Sequence, residues 1–260
     1  MKLLIVNPNT TASMTAKIGA AARSVAAAGT EIVAVNPERG PVSIEGYYDE
    51  VFSVPGLLEE IAKGQAAGCQ GSIIACFDDT GLDAARALAE GPVVGICEAA
   101  MHMSALLGGS FSVITTLNRS VPAIEALARR YGMSHHCRRV RAAEVPVLAL
   151  EDPASDASAR IRAEIAAALD EDRAECIILG CAGMADLARA FTAEFGLPVI
   201  DGVAAAVKLM ESIVGLGLTT SKIGGYAAPL PKPYTGDFAR YQPQTLIQPG
   251  CAKNHKGHAR

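Results

Sequence analysis

Two cysteines stand at equivalent places in this chain. Ser72-Ile73-Ile74-Ala75-Cys76 is echoed by Cys176-Ile177-Ile178-Leu179-Gly180-Cys181, each a short aliphatic run ending in a thiol. Downstream, Ala89-Glu90-Gly91-Pro92-Val93-Val94 is echoed by Ala193-Glu194-Phe195-Gly196-Leu197-Pro198-Val199-Ile200, and upstream Leu4-Ile5-Val6-Asn7 parallels Ser112-Val113-Ile114-Thr115. The chain therefore reads as two related halves. A thiol that closes a strand and precedes a helix meets exposed amides and a helix dipole, both of which favour the thiolate. A free thiol titrates near about 8.5, so a modest shift makes a usable base near neutrality. If the halves face each other, the two thiols reach one cleft from opposite sides. One thiolate can take a proton from one face of a tetrahedral carbon, and the opposite thiol can return one to the other face of the planar carbanion. Cysteine is also among the most buried residue types. By that measure Cys69, Cys97, Cys137, Cys176 and Cys251 read as structural, and the repeat sets Cys76 and Cys181 apart.

Short polar loops accompany the thiols. In Asn7-Pro8-Asn9-Thr10-Thr11, Pro8 fixes the turn, and Asn9 or Thr10 can cap the next helix or help hold a substrate carbonyl. Thr115-Thr116-Leu117-Asn118-Arg119 has the same character at the same place in the second half. After Cys76 come Phe77, Asp78 and Asp79; Asp79 or Thr80 is expected to cap the following helix. Asp78 could orient a group in the cleft, although a carboxylate there raises the thiol pKa by repulsion. After Cys181, Ala182-Gly183-Met184 has no titratable group, and its small residues let backbone amides approach a ligand closely. The candidate site is thus Cys76 and Cys181 for chemistry, with Asn9, Thr10, Phe77, Thr115, Thr116, Ala182 and Gly183 for binding. His102 lies in a helical pattern and reads as packed or surface. No Gly-rich phosphate loop is present, and Gly215-Leu216-Gly217-Leu218-Thr219 is a weak match to any dinucleotide fingerprint.

Aliphatic runs predict strands at 3–7, 31–35, 71–75, 92–96, 111–115, 137–141, 175–179 and 198–200. Helical patterns are clearest at 12–28, 82–89, 99–107, 157–169, 186–195 and 203–214. Gly29, Gly91 and Gly196 follow helical segments, as C-terminal caps do. The alternation predicts an α/β protein of mostly parallel sheet. Eight such units fit a closed barrel or two four-stranded lobes, and the repeat favours two similar lobes with the site between them.

The 260 residues suffice for one large domain or two small lobes, and with 50% apolar residues and no Trp the core must be mainly aliphatic. A net charge of -4 argues against a surface built for nucleic acid or anionic lipid. Leu3-Leu4-Ile5-Val6 is too short for a signal peptide, and no later run is long enough to span a membrane, so a cytoplasmic protein is expected. Seven cysteines without a Cys-x-x-Cys pair argue against a disulfide framework. Five histidines without ligand spacing argue against a zinc site. The polar segment 242–260 is expected to be a frayed tail.

The Asn7-Pro8-Asn9-Thr10 loop, Cys76-Phe77-Asp78-Asp79, Thr115-Thr116 and Gly180-Cys181-Ala182-Gly183-Met184 run in order over nearly the whole chain. In these pieces the chain resembles the hydantoin racemase family, allantoin racemases included, within the aspartate/glutamate racemase superfamily. The resemblance implies two α/β lobes about a cleft, racemisation without a cofactor or metal, and Cys76 and Cys181 as the paired acid and base. It also implies a C-terminal segment that returns to the first lobe, so that 1–96 plus about 208–241 form one lobe and 97–207 the other, and a homo-oligomer. Amino-acid racemases of the superfamily carry Asp-Ser in the first loop, Asn-Thr-Ala after the first cysteine and Thr-His after the second. Here the equivalents are Asn-Pro-Asn-Thr, Phe-Asp-Asp and Ala-Gly-Met, which lack the polar kit for a free amino acid. A neutral ring such as a 5-monosubstituted hydantoin suits them better. Allantoin is the close variant. A decarboxylase of activated arylmalonates resembles a version with one cysteine of the pair. A two-lobed ligand binder would leave both cysteines unexplained.

Overall fold

The computed structural model describes residues 1–152 and 154–246; Cys251 and most of the expected tail lie outside them. Among the described residues the chain forms β1 (Lys2–Val6), β2 (Glu31–Val35), β3 (Gly71–Ile74), β4 (Val93–Gly95), β5 (Phe111–Thr115), β6 (Cys137–Ala142), β7 (Cys176–Gly180) and β8 (Val199–Asp201). The strands make two separate parallel sheets, β2-β1-β3-β4 and β6-β5-β7-β8. The two orders are the same permutation four strands apart, so the halves seen in the sequence are topological equivalents and the barrel is excluded.

The central strands β1, β3, β5 and β7 are largely apolar and buried on both faces because both faces are covered, while the edge strand β6 carries Arg138, Arg139 and Arg141. Leu3, Ile5 and Ile73 point inward, to a core shared with Phe111, Val113 and Ile178 of the second sheet. Alternate residues Leu4, Val6 and Ile74 point outward onto α2 (Tyr47–Ala66) and α3 (Leu82–Leu88). In the second sheet, Ile114, Ile177 and Leu179 point outward onto α6 (Ala157–Ala167) and α7 (Ala188–Phe195). The shared core also takes in α1 (Ala12–Val25), α4 (Ile96–Ala105), α5 (Val121–Arg130) and α8 (Gly202–Gly215).

α8 packs on both sheets. Its Gly202 needs to be glycine, since a Cβ there would lie 2.7 Å from the carbonyl oxygen of Ile96, and its Met210 fills the space a Cβ on Gly71 would occupy. Residue 208, the expected crossing point between lobes, falls inside this unbroken helix. Beyond it the chain returns to α3: Thr219 donates to the Glu90 carbonyl, Lys222 to those of Arg86 and Ala87, and Tyr226 to the Asp83 carboxylate. At the start of the expected tail, Pro243–Leu246 forms a helical turn, α9.

Besides α9, two helices lie outside the sequence reading. α2 carries Pro55 in its interior, where proline removes a backbone bond and is usually excluded. Val51, whose carbonyl the missing amide would have served, lies on the exposed face, where solvent can replace it. The glycines of α2 are packing residues: a Cβ on Gly56 would sit 2.6 Å from the Pro37 ring, and one on Gly64 2.5 Å from a Leu4 methyl. α5 begins with Pro122 in its first turn, a favourable place for proline.

Candidate active site

In each sheet the connections leave in opposite directions from the two central strands, β1 and β3 or β5 and β7. That is the switch point at which open parallel sheets form a crevice beyond their carboxyl ends. The four loops that start there build one cleft, lined by Asn7, Asn9, Ala75, Cys76, Phe77, Asp78, Thr115, Thr116, Ser120, Gly180, Cys181 and Ala182, with Met14, Ile44 and Val147 at its walls.

Register explains the cysteines. β1 pairs with β3 as Val6↔Ile74, and β5 with β7 as Thr115↔Gly180. β7 runs one residue further relative to its Ile-Ile pair, so one residue separates Ile74 from Cys76 and two separate Ile178 from Cys181. Gly180 is required by this pairing, since a Cβ would lie 2.9 Å from Val113 and 3.1 Å from the Thr115 Cα. Both thiols are partly exposed and open into the cleft from the two sides.

Each sulfur has local hydrogen-bond donors. Cys76 Sγ accepts from the Thr80 hydroxyl at 3.4 Å and from the Asp78 amide. Cys181 sits at the N-cap of a short 3-10 helix, Ala182–Leu187, and its sulfur accepts from the Gly183 amide. These donors favour thiolate, but burial outweighs them. Burial, then the Asp78 carboxylate, push Cys76 well above the ordinary thiol value. Burial pushes Cys181 up to about 11, offset in part by the Gly183 amide and by Lys17. The expected thiolate near neutrality is therefore corrected: both groups are held above the ordinary thiol value, because low-dielectric surroundings cost an anion more than one or two donors return. Cys181 ionises the more easily. Lys17 is held near it by Asp186 at 3.0 Å and by the Leu150 carbonyl at 3.3 Å.

Of the residues expected to bind, Asn9, Phe77, Thr115, Thr116 and Ala182 line the cleft. Thr10 does not, because its amide and hydroxyl are both turned to the Pro41 carbonyl. Gly183 stands behind Cys181 and serves its sulfur through the amide. The expected caps also differ. Asn9 Oδ1 accepts from the Thr11 amide at 2.9 Å and from Asn7 Nδ2 at 2.8 Å, while Thr11 holds the N-cap position of α1. Asp79 does not cap α3. Its carboxylate caps α4, accepting from the amides of Cys97 at 3.0 Å and Glu98 at 2.9 Å. Thr80 turns to Cys76. His102 is exposed and its Nδ1 meets the Glu98 carbonyl.

Sequence reasoning missed Asn7, Ser120, Ile44 and Val147 as cleft residues. The repeat could have supplied Asn7, which stands where Thr115 stands in the second half. Ile44 and Val147 come from the equivalent connections after β2 and β6, which share no sequence pattern, and the two are joined across the cleft by the Val147 amide and the Glu45 carboxylate at 3.0 Å. Among the described residues all cysteines are free, no group of three acidic, His or Cys side chains could hold a metal, and no helix is long and apolar enough to cross a membrane.

Two equivalent parallel lobes about one crevice form a racemase fold, and the chain's relatives make it an isomerase. The chain belongs to the Asp/Glu/hydantoin racemase family, whose model matches residues 3–210. It is similar to the hydantoin racemase of Rhizobium meliloti, 51% identical over 91% of this chain and 98% of that one. The hydantoin racemase of Pseudomonas sp. (strain NS671) is 46% identical over 94% of this chain and 100% of that one. The structure of the allantoin racemase from Klebsiella pneumoniae superposes with a TM-score of 0.91 at 49% identity, over 94% of this chain and 99% of that one.

Proposed function

We propose that this protein racemises 5-monosubstituted hydantoins by proton transfer at C5 between Cys76 and Cys181, without a cofactor. The observation that carries the reading is the pair itself: equivalent thiols, one from each half, opening into one cleft. A thiolate on one side takes the C5 proton, and the electron pair passes into the C4 carbonyl as an enolate. The opposite thiol then gives its proton to the other face of C5, leaving the second sulfur as the thiolate. The proton and charge balance closes, with the two sulfurs exchanging roles at each turnover.

Because both thiols rest protonated, one proton must leave to solvent before the first turnover, and Cys181, which has the Gly183 amide and Lys17 in its favour, is the group that gives it up. Cys76, pressed by Asp78, is the resting acid. A bound ring fills the cleft and supplies the acidic proton, and its flanking carbonyl stabilises the carbanion, so no further strong acid is called for. The hydroxyls of Thr116 and Ser120 are placed to donate to ring carbonyls.

Allantoin is a second reading, favoured by the likeness to the Klebsiella pneumoniae enzyme. Allantoin is itself a 5-substituted hydantoin, so the same proton transfer serves it. Decay of optical rotation of single enantiomers of 5-benzylhydantoin and of allantoin tests both: a higher kcat/KM on the benzyl compound supports the first reading, and the reverse supports the second. No decay with either compound would sink both.

A further inference from the structure

The carboxyl of Asp78 lines the cleft next to Cys76, and among the described residues no group hydrogen-bonds to it. Its own amide is committed to Cys76 Sγ. Glu50, from α2, faces it with an Oε1 that is buried and has no partner. Asp79 is turned away, held by the α4 amides and by Tyr131. The titratable groups acting on Asp78 itself are Glu50 and Asp79, both acids; at Cys181, on the other side of the cleft, Glu45 adds a further acid and Lys17 a cation. The Asp78 carboxyl is half-buried and faces the cleft, where a ligand donor can reach it, and the nearby Glu50 and Asp79 supply no such donor.

The rest of the polar lining is arranged differently. Asn7 and Asn9 are bonded to each other, and the Thr115 hydroxyl donates to the Gly180 carbonyl. The Thr116 and Ser120 hydroxyls have no partner among the described residues. A carboxylate acceptor with hydroxyl donors nearby is the complement of an N–H flanked by carbonyls, the edge that cyclic ureides and imides present.

We infer that Asp78, backed by Glu50, accepts a hydrogen bond from a ring N–H of the bound ligand, and that this contact selects cyclic ureides over carbon acids bearing a carboxylate. The inference rests on the hydantoin reading and deepens it. It also supplies a reason for this cleft to reject malonates: their anionic groups would meet the Asp78 carboxyl, with no Lys or Arg among the lining residues.

The test is a titration of wild type, Asp78→Asn and Asp78→Ala with hydantoin, 1-methylhydantoin and 3-methylhydantoin, followed by NMR. Unsubstituted hydantoin has no stereocentre at C5, so affinity is read independently of racemisation. A hydrogen bond to a charged acceptor makes wild type prefer hydantoin to one of the methylated rings by about tenfold or more. In Asp78→Ala the preference collapses because hydantoin binding weakens. Asp78→Asn, matched in size, weakens hydantoin severalfold and leaves the disfavoured methyl compound unchanged, which separates hydrogen bonding from bulk. If Asp78→Ala fails to fold, Asp78→Asn carries the test alone. Equal binding of all three rings by wild type, or hydantoin binding unchanged in Asp78→Asn, overturns the inference. Discrimination without racemisation would remove the racemase reading and keep this contact; racemisation without discrimination would do the reverse.

Discussion

The phenol of Tyr131, at the end of α5, donates a hydrogen bond of 2.7 Å to Oδ2 of Asp79, three residues beyond Cys76. The same carboxylate caps α4, and the Asp79 backbone adopts a positive φ of 45°. The turn that carries Cys76, Phe77 and Asp78 is thus fastened to the helix layer between the sheets, with Tyr131 reaching it from the opposite half. Gly95 completes the fit, because a Cβ there would overlap the Asp79 carboxylate.

Removing this carboxylate strands two helix amides and a phenol. Asp79→Ala is expected to cost about 3 kcal/mol, and Tyr131→Phe about 1 kcal/mol, in urea unfolding. Gly95→Ala should cost about as much as Asp79→Ala in wild type and much less in the Asp79→Ala background, since the two share one contact. Additive losses would show that the residues act separately.

Thiol ionisation gives a second expectation. Alkylation by iodoacetamide should be slow at neutral pH and accelerate with alkali, Cys181 reacting before Cys76 and half-maximally near pH 11. Asp78→Asn removes a negative charge that raises both thiols, so both should alkylate faster at a given pH, Cys76 gaining the more. Site-resolved mass spectrometry reads both rates.

Ring affinity should depend on pH through Asp78. Burial, then Glu50 and Asp79, raise its carboxyl to about 7. Below that value the protonated group loses its charge as an acceptor, and hydantoin binding should weaken as pH falls through it. Glu50→Gln removes the like charge, lowers the Asp78 pKa, and should carry the weakening to lower pH. An unshifted profile would show that another group controls binding.

Away from the cleft, Arg141 on edge strand β6 holds Asp172 through two contacts of 2.7 Å, with both side chains buried. The guanidinium lowers the Asp172 carboxyl below its ordinary value. A depressed carboxylate contributes stability above its unfolded pKa and loses it as pH falls through the folded one. Asp172→Ala is therefore expected to cost about 3 kcal/mol at neutral pH and progressively less below about pH 4, by denaturant titration.

Much of this was legible in the sequence. Each strand was placed to within about two residues at either end, most of them because a parallel strand covered on both faces is an aliphatic run between polar loops; the edge strand β6, with Arg138, Arg139 and Arg141, is the exception to that pattern. Cys76 and Cys181 were legible because duplication writes the signal twice. α2 was hidden by Pro55, Gly56 and Gly64, whose reasons are tertiary: an exposed helix face and the close approach of Pro37 and Leu4. The Asp79 cap was misassigned because its partner helix starts seventeen residues later, at Ile96, beyond any local capping pattern. The thiol pKa was misjudged for a related reason. Local amides can be read from sequence, whereas desolvation and a facing Asp78 are properties of the assembled cleft.

The central claim is that Cys76 and Cys181 each serve one face of the same carbon. Single enantiomers of 5-benzylhydantoin in deuterated buffer, followed together by optical rotation and by deuterium at C5, test it most directly. Wild type should lose all rotation as C5 becomes deuterated, while Cys76→Ser and Cys181→Ser should not racemise and should each exchange one enantiomer only, opposite in the two variants. Racemisation at the wild-type rate after replacement of both cysteines, or exchange of both enantiomers by each single variant, would contradict it.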